Sequence, residues 1–343
     1  MKEAYTAVIG NDPLRERLMY SVLEETLPHA IILEGAEGSG KRTLARLTAA
    51  ALMCERKHDK AAPLPCMSCA GCRKVLEDKS PDVIYLGLED KTTIGVEAVR
   101  FLREDVRILP NDTDHKIYII SDADRMTPQA QNAFLLTLEE PPAYARFFLL
   151  CENAGLLLET IRSRAPVLRT QPVSREQMDR YLCENDRRAS QMKLSDPKGY
   201  SELLCASQKG IGQALEYLDP KTFAPIKQLR ALASDFVNTA VKRPTSGAVL
   251  PLLTRFSNKR DLLRDQLSTL SDALRDLILL KKSDEAPLSF YADREEAMEL
   301  CDGISLPALY RLNEAVTGAM EENSRNANVR LCLIHMLVQA ELL

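Results

Sequence analysis

A glycine-rich run that ends in a lysine is the first candidate for chemistry in this sequence. Gly35, Gly38 and Gly40 precede Lys41, with an apolar strand candidate before them and a helix-forming stretch after them. Glycines let backbone N–H groups close around phosphate oxygens, and the positive end of the following helix dipole favours the same anion. Lys41 would then reach the outer phosphates of a nucleotide. The segment therefore predicts a phosphate-binding loop.

The magnesium ligands that normally accompany such a loop are missing from the sequence. The position after the lysine should carry Ser or Thr, but it carries Arg42, and Thr43 stands one residue late. The strand candidate Lys116–Ile120 should be followed by Asp and Glu, which hold the metal and orient water. It is followed by Ser121 and Asp122. Because both sets of metal-binding groups are lost, we expect no Mg²⁺ site and no ATP hydrolysis by this chain.

The state of the loop itself stays open at this point. Lys41 either holds ATP or ADP passively, or it is a relic that is satisfied by Glu37 or Asp122. A shifted metal site that used Asp122 or Asp124 would need the strand end to slip by one residue, which turns the side chain away from the phosphate. Asn153, after a later strand, either faces the γ-phosphate or forms a loop turn.

Four of the nine cysteines cluster in the sequence. Cys54 is followed by Cys66, Cys69 and Cys72 in a C-x11-C-x2-C-x2-C spacing. Four thiolates at such a spacing form the closed tetrahedral site of structural zinc, and we expect one Zn²⁺ ion there. An iron–sulfur cluster is the alternative, but the polar surroundings do not favour it. His58 is an alternative ligand in place of Cys54.

The composition limits the class of protein. At 343 residues and 45% hydrophobic, the chain is long enough for two or three domains with cores of their own. A formal net charge of −4 gives no global attraction to nucleic acid. We expect no contact with membranes and a cytoplasmic location, because the sequence shows neither an apolar run of roughly 18 residues nor a signal peptide.

The first half of the chain alternates apolar runs with helix-compatible stretches, which predicts a parallel sheet flanked by helices. The strand candidates are Ala30–Leu33, Val83–Leu88, Lys116–Ile120, Phe147–Cys151 and Pro166–Leu168. The helix candidates are Arg42–Met53, Gly95–Ile108 and Pro128–Glu140.

The strand signal fades after about residue 169, and the rest of the sequence predicts helices only. Two stripes of apolar residues at helical spacing indicate core positions of a helix bundle, although contact between subunits uses the same pattern. The first stripe is Leu263, Leu267, Leu270, Leu274 and Leu277; the second is Leu331, Ile334, Val338 and Leu342.

With these elements in order, the chain resembles the clamp-loader subunits of bacterial DNA polymerase III, which belong to the AAA+ superfamily. Besides the glycine loop and the cysteine set, five segments carry the resemblance. They are Val8-Ile9-Gly10-Asn11, Leu27–Ala30, Asn132–Pro142 with Leu136 in place of a usual lysine, Thr160–Ala165 with Ala165 in place of the cysteine of a Ser-Arg-Cys motif, and Asn326–Leu331.

The resemblance implies a fold of three parts. The first is an α/β AAA+ P-loop domain over residues 1–166, with a five-stranded parallel sheet and an inserted zinc module at about 54–72. A small helical lid domain would follow over residues 167–219. An all-α collar domain, which serves oligomerisation, would occupy residues 220–343.

Within the family, the substitutions at Arg42 and Ser121 resemble the non-hydrolysing delta-prime type and not the gamma/tau motor. The resemblance implies a scaffold in a five-subunit ring with gamma/tau and delta subunits. Arg164, with Ser163, would act in trans as an arginine finger at a neighbouring gamma/tau ATP site. The sliding clamp and primer-template DNA would be partners through the complex.

Other functions stay open from the sequence. The chain could be a gamma-like ATPase motor, and Arg164 could merely pair with a nearby carboxylate. Gln213 falls near the place where active relatives carry a basic sensor on the lid. The zinc module could also bind DNA directly through its basic residues, which are Arg56, Lys57, Lys60, Arg73 and Lys74.

Overall fold

A computed structural model describes residues 9–59, 61–88, 92–241, 250–325 and 327–343. The chain divides into two compact units, Met1–Tyr181 and Leu182–Leu343. The division into three domains stays a prediction. Val8, Lys60 and Asn326, which the sequence analysis singled out, lie outside the described residues.

The first unit contains the five-stranded parallel sheet that the sequence predicts. Its strand order is β2-β3-β4-β1-β5. The strands are β1 (Ala30–Glu34), β2 (Val83–Leu86), β3 (Lys116–Ile120), β4 (Ala145–Cys151) and β5 (Val167–Arg169). The predicted strand ends differ from these by at most two residues.

Helices cover both faces of this sheet, and the strands are therefore nearly continuous apolar runs. The helices are α1 (Asp12–Leu23), α2 (Lys41–Leu52), α3 (Ala70–Leu76), α4 (Val96–Asp105), α5 (Pro128–Glu139) and α6 (Glu159–Arg162). One core contains Ile31 and Phe148 with residues of α1 and α2. The other contains Phe134 of α5 packed edge-to-face against Phe147 of β4.

The register of the sheet brings three loops to one edge. Glu34, the last residue of β1, is level with Cys151 of β4 and with Arg169 of β5. The segments after β1, β3 and β4 therefore leave the sheet at the same carboxyl edge, where parallel α/β sheets bind ligands. The glycine loop, Ser121 with Asp122, and Asn153 all follow these strands.

The second unit is helical. Helix α7 (Arg175–Asn185) crosses the boundary between the two units, and the other helices follow in chain order. They are α8 (Arg187–Ser195), α9 (Pro197–Ala206), α10 (Ile211–Tyr217), α11 (Pro220–Val241), α12 (Leu250–Leu253), α13 (Arg260–Leu280), α14 (Arg294–Asp302), α15 (Leu306–Ser324) and α16 (Val329–Gln339). None of the described helices combines the length and the apolar character that crossing a lipid bilayer would require.

The two predicted apolar stripes of this unit differ in outcome. The stripe on α13 is fully buried, as predicted. The core prediction for the second stripe is wrong for three of its four residues, because Leu331 is 65% exposed, Ile334 44% and Val338 53%. Leu342, which follows α16, is partly buried against the core. Helix α16 is apolar on more than one face, so spacing alone could not select the buried one. The residues that α16 does bury are Cys332, Leu333, Met336 and Leu337.

Candidate functional site

The glycine loop has the backbone shape that a phosphate-binding loop needs. Gly38 and Gly40 have φ angles of +73° and +85°, in the left-handed region that favours glycine. A Cβ atom at Gly35 would lie 2.1 Å from the hydroxyl oxygen of Thr170. The loop therefore requires its glycines for conformation and for close approach to the segment after β5.

The lysine of the loop is engaged by the loop itself. The Lys41 ammonium, at the start of α2, donates to the carbonyl oxygens of Gly35 at 2.5 Å and Ala36 at 2.8 Å. Burial lowers the pKa of Lys41, and the surrounding acidic groups, Asp122 and Asp124 among them, oppose that shift. Neither Glu37 nor Asp122, the two carboxylates of the relic alternative, is among these hydrogen-bond acceptors.

Buried side chains hold the loop against the segment after β5. The hydroxyls of Ser39 and Thr170 lie 2.7 Å apart, and Thr170 also donates to the carbonyl of Glu34 at 3.1 Å. Asn11 exchanges two hydrogen bonds with the backbone of Gln171, at 2.6 and 3.1 Å. A cavity of about 600 Å³ opens beside Asn11 and Gln171. Sequence reasoning missed these contacts, which carry no local signal.

Arg42, which stands at the position of the usual metal-binding hydroxyl, contacts an aromatic ring of β2. Its guanidinium carbon lies 5.3 Å from the centre of the Tyr85 ring, in a cation–π arrangement. The Tyr85 hydroxyl donates to Asp78 at 2.8 Å, and burial with this bond raises the pKa of Tyr85 to about 12. Thr43, the displaced hydroxyl, lies half-buried in the first turn of α2. The residue that replaces the metal ligand thus contacts β2.

The acidic residues after β3 have structural partners. Asp124 accepts backbone N–H groups of Glu152 and Asn153, at 3.1 and 3.2 Å, and so connects the ends of β3 and β4. Asp122 is exposed and has a left-handed backbone conformation. The Asn153 side chain accepts a hydrogen bond from Gly155 N–H at 2.8 Å. This contact corresponds to the loop turn, one of the two alternatives for Asn153 that the sequence left open. These contacts do not favour the shifted metal site.

The four clustered cysteines converge at the other end of α2. Their sulfur atoms all lie within 4.8 Å of one another, and all four residues are buried. Cys66 and Cys72 have a sulfur separation of 4.0 Å, and a tetrahedral site with zinc–sulfur distances of about 2.3 Å places ligand sulfurs about 3.8 Å apart. The arrangement fits one zinc ion. His58 is exposed and does not join this group.

Backbone N–H groups support the thiolates in this cluster. Cys69 N–H donates to the sulfur of Cys66 at 3.3 Å, and Cys72 N–H donates to the sulfur of Cys69 at 3.4 Å. Burial alone would raise the pKa of Cys66, but hydrogen bonds from Ser68 and Cys69 lower it to about 6. Burial raises the pKa of Cys54 and of Cys72. A bound cation would offset that burial penalty, because metal binding displaces thiol protons.

The basic residues near the cluster are partly neutralised. Lys57 pairs with Glu25 at 3.1 Å, and Lys74 pairs with Asp112 at 2.7 Å. Arg56 and Arg73 are exposed. Two of the five basic residues of the DNA-binding alternative are therefore engaged within the protein.

Arg164 lies just after α6 and contacts α5. Its guanidinium donates to the carboxylate of Glu139 at 3.0 Å, to the carbonyl of Thr160 at 3.1 Å and to the hydroxyl of Ser163 at 3.4 Å. The side chain of Arg164 is 36% exposed and that of Glu139 47%. The carboxylate pairing that the sequence left open is present, and the arginine also reaches the surface.

Gln213, which stands near the place of a basic sensor in active relatives, belongs to the second unit. It lies in α10, where its amide nitrogen donates to the Tyr217 hydroxyl at 2.8 Å and its amide oxygen accepts from Lys209 N–H at 2.9 Å. That a phosphate contact is missing at this position stays a prediction.

Comparisons with known proteins relate the first unit to replication proteins. Residues 10–174 match a family model described as DNA polymerase III, delta subunit. The DNA polymerase III subunit tau of Bacillus subtilis (strain 168) is 31% identical over 164 residues, which are 47% of this chain and 28% of that protein. The subunit delta′ of the same organism is 33% identical over 171 residues, 50% of this chain and 50% of that protein. The chain thus spans half or less of the length of these relatives.

One solved structure aligns with most of the chain. It is a DNA polymerase III gamma subunit-related protein from Thermotoga maritima, with a TM-score of 0.50 over 95% of this chain and 98% of that chain. The two sequences are 18% identical, so this likeness concerns the fold alone. Taken together, the sequence matches relate about half of this chain to delta-type and gamma/tau subunits of DNA polymerase III, and they do not separate the two types.

Proposed function

We propose that this chain is a clamp-loader subunit of DNA polymerase III of the delta-prime type. In this role it hydrolyses no ATP, forms part of a five-subunit ring with gamma/tau and delta subunits in the cytoplasm, and supplies Arg164 to the ATP site of a gamma/tau neighbour. The sliding clamp and primer-template DNA contact it through the assembled complex.

The state of the glycine loop carries this proposal. The position after Lys41 holds Arg42, which packs on Tyr85 where a metal-binding hydroxyl is needed. Without the hydroxyl and without the acidic pair after β3, Mg²⁺ has no ligands that could bring it to a triphosphate. A site of this kind supports nucleotide binding at most, and its chemistry would be negligible.

Arg164 gives the chain a role in a neighbour's chemistry. It lies in the Ser163-Arg164 pair that resembles the family motif, and its side chain reaches the surface. An arginine placed against a γ-phosphate neutralises the charge that develops in the transition state. The four-cysteine site would hold a zinc ion that fixes residues 54–72 and takes no part in catalysis, because four protein ligands leave no open position.

A gamma-like ATPase motor is the second candidate. The glycine geometry of the loop is intact, and the tau and delta′ relatives have nearly equal identity to this chain. A motor would have to hydrolyse ATP despite Arg42 and Ser121. Hydrolysis by the isolated chain that disappears in Lys41→Ala would establish this candidate and reject the first.

The proposal is tested in the complex reconstituted with gamma/tau and delta subunits. Arg164→Ala should leave assembly intact and slow DNA-stimulated ATP hydrolysis at the neighbouring site, since an arginine finger contributes about 10³–10⁵ in rate. Arg162→Ala, which removes an exposed arginine two residues away, is the matched control. An unchanged rate in a fully assembled Arg164→Ala complex would reject the arginine-finger role.

Direct DNA binding by the zinc module is tested separately. If Arg56 and Arg73 contacted phosphates, replacing both by glutamine would weaken DNA binding and reduce its salt dependence. We expect neither change, because the neighbouring lysines are paired with acidic residues.

A further inference from the structure

Glu139 contacts the arginine on which the proposed function depends. Its carboxylate accepts a hydrogen bond from the Arg164 guanidinium at 3.0 Å. Glu139 is also the last residue of α5, where the negative end of the helix dipole favours a cation. We propose that Glu139 is a positioning residue that holds Arg164 ready for a phosphate group of the neighbouring subunit's nucleotide. This inference rests on the proposed function.

The geometry of the pair leaves the guanidinium able to bind an anion. One N–H of Arg164 goes to Glu139, and the other terminal nitrogen contacts the Thr160 carbonyl and the Ser163 hydroxyl. These contacts occupy three of the five N–H donors of an arginine. The pairing with the carboxylate is single and not the two-bond fork of a strong carboxylate pair. Two donors remain for a phosphate group.

Exposure of the pair favours positioning over sequestration. Arg164 is 36% and Glu139 47% exposed, and ion pairs at such exposure are weak. A weak pair restricts the rotamers of a long, flexible side chain but does not compete with the larger charge of a triphosphate. Glu139 therefore restricts Arg164 before the nucleotide binds, so that less side-chain entropy is lost on binding.

Buried hydrogen bonds fix the two elements that carry this pair. Gln131 of α5, which is 4% exposed, donates to the carbonyl of Leu156 at 3.3 Å and accepts from Leu158 N–H at 2.8 Å. Leu158 is the cap residue of α6, and Arg164 follows α6. The distance between Glu139 and Arg164 is thus set by the interior of the protein.

The experiment uses the reconstituted complex with ATP and primed DNA. Glu139→Ala should slow turnover on the order of tenfold, less than Arg164→Ala, because it misplaces the arginine without removing it. Glu139→Gln should lose less, since its amide oxygen still accepts a hydrogen bond. The KM for ATP should not change, because Glu139 does not touch the nucleotide. Glu140→Ala, which removes an adjacent exposed carboxylate, is the control and should keep the parent rate.

The double variant separates positioning from other effects. In an Arg164→Ala background, Glu139→Ala should have no further effect, since residues that act as one unit are not additive. A further loss there, a Glu139→Ala rate equal to that of Glu140→Ala, or a rate above the parent would each overturn the positioning role. If Arg164→Ala itself leaves the rate unchanged in an assembled complex, the proposed function fails, and this inference fails with it.

Discussion

Helix α2 carries a candidate site at each end, and the two ends differ in the side chains that they present. At its start, Lys41 is bonded to carbonyls of its own loop and Arg42 packs on Tyr85. Two residues beyond its end, Cys54 converges with three other cysteines, and a thiol of this group, that of Cys72, lies 3.5 Å from the carbonyl of Ala50 in α2.

The difference lies in the completeness of the ligand sets. A structural zinc ion needs four protein ligands, and all four are present within 4.8 Å of one another. A nucleotide site that hydrolyses ATP needs a loop, a lysine, a hydroxyl and acidic groups for Mg²⁺. Here Arg42 stands at the position of the hydroxyl and Ser121 at the first acidic position. The loop nevertheless keeps its glycines, because the close approach of Gly35 to Thr170 is required by the fold whether or not nucleotide binds.

The largest effect should come from the cysteine end of α2. Purified protein should contain about one zinc ion per chain, and Cys69→Ser should abolish it and lower the free energy of unfolding on the order of several kcal/mol, because metal-binding energy is folding energy here. Elemental analysis and thermal denaturation measure the two effects. Cys183→Ser, outside the cluster, is the control. Full zinc content in Cys69→Ser would remove the four-cysteine site from consideration.

The next effect concerns the hydroxyl pair that holds the glycine loop. Thr170→Val should lower the free energy of unfolding by about 1–3 kcal/mol, because it leaves the buried Ser39 hydroxyl without its acceptor. Adding Ser39→Ala should recover part of this loss, since both polar groups are then removed. Chemical denaturation of the single and double variants measures the coupling. Strictly additive losses would show that the two hydroxyls do not interact.

A smaller effect is expected at Arg42. Arg42→Ser should cost about 0.5–1 kcal/mol of stability through loss of the contact with the Tyr85 ring. It should not create ATP hydrolysis, because Ser121 still provides no carboxylate to bind Mg²⁺. Tyr85→Leu, alone and combined with Arg42→Ser, isolates the ring contact in denaturation experiments. Hydrolysis by Arg42→Ser would mean that the hydroxyl alone was limiting.

The smallest effect is a pH dependence at Glu34, the residue before the glycine loop. Hydrogen bonds from Arg169 and from Ala154 N–H lower the pKa of Glu34. Its contribution to stability is therefore present above the pKa of an unfolded glutamate, about 4.3, and is lost as pH falls through the lowered folded value.

Solvent screening limits this contribution to about 0.5 kcal/mol, because Arg169 is largely exposed. The stability difference between the parent and Glu34→Gln should shrink on acidification; Glu24→Gln, at an exposed position, is the matched control variant. Denaturation curves between neutral pH and about pH 3 would show it. A difference that is independent of pH would mean that the charge of Glu34 does not contribute.

The sequence by itself determined the features that local patterns encode. Apolar runs before each loop gave the five parallel strands, because a sheet covered on both faces needs apolar residues throughout. The glycine spacing identified the loop, and the C-x11-C-x2-C-x2-C spacing identified all four clustered cysteines. Each of these signals lies within a short stretch of chain.

Only the tertiary structure decided which distant side chains form hydrogen bonds with one another. Ser39 meets Thr170 across 131 positions of sequence, and Glu139 meets Arg164 across 25. It also decided which face of α16 is buried, against the prediction from spacing. Such contacts depend on how strands and helices are ordered in space, and hydrogen bonding has no sequence period that would reveal its distant partners.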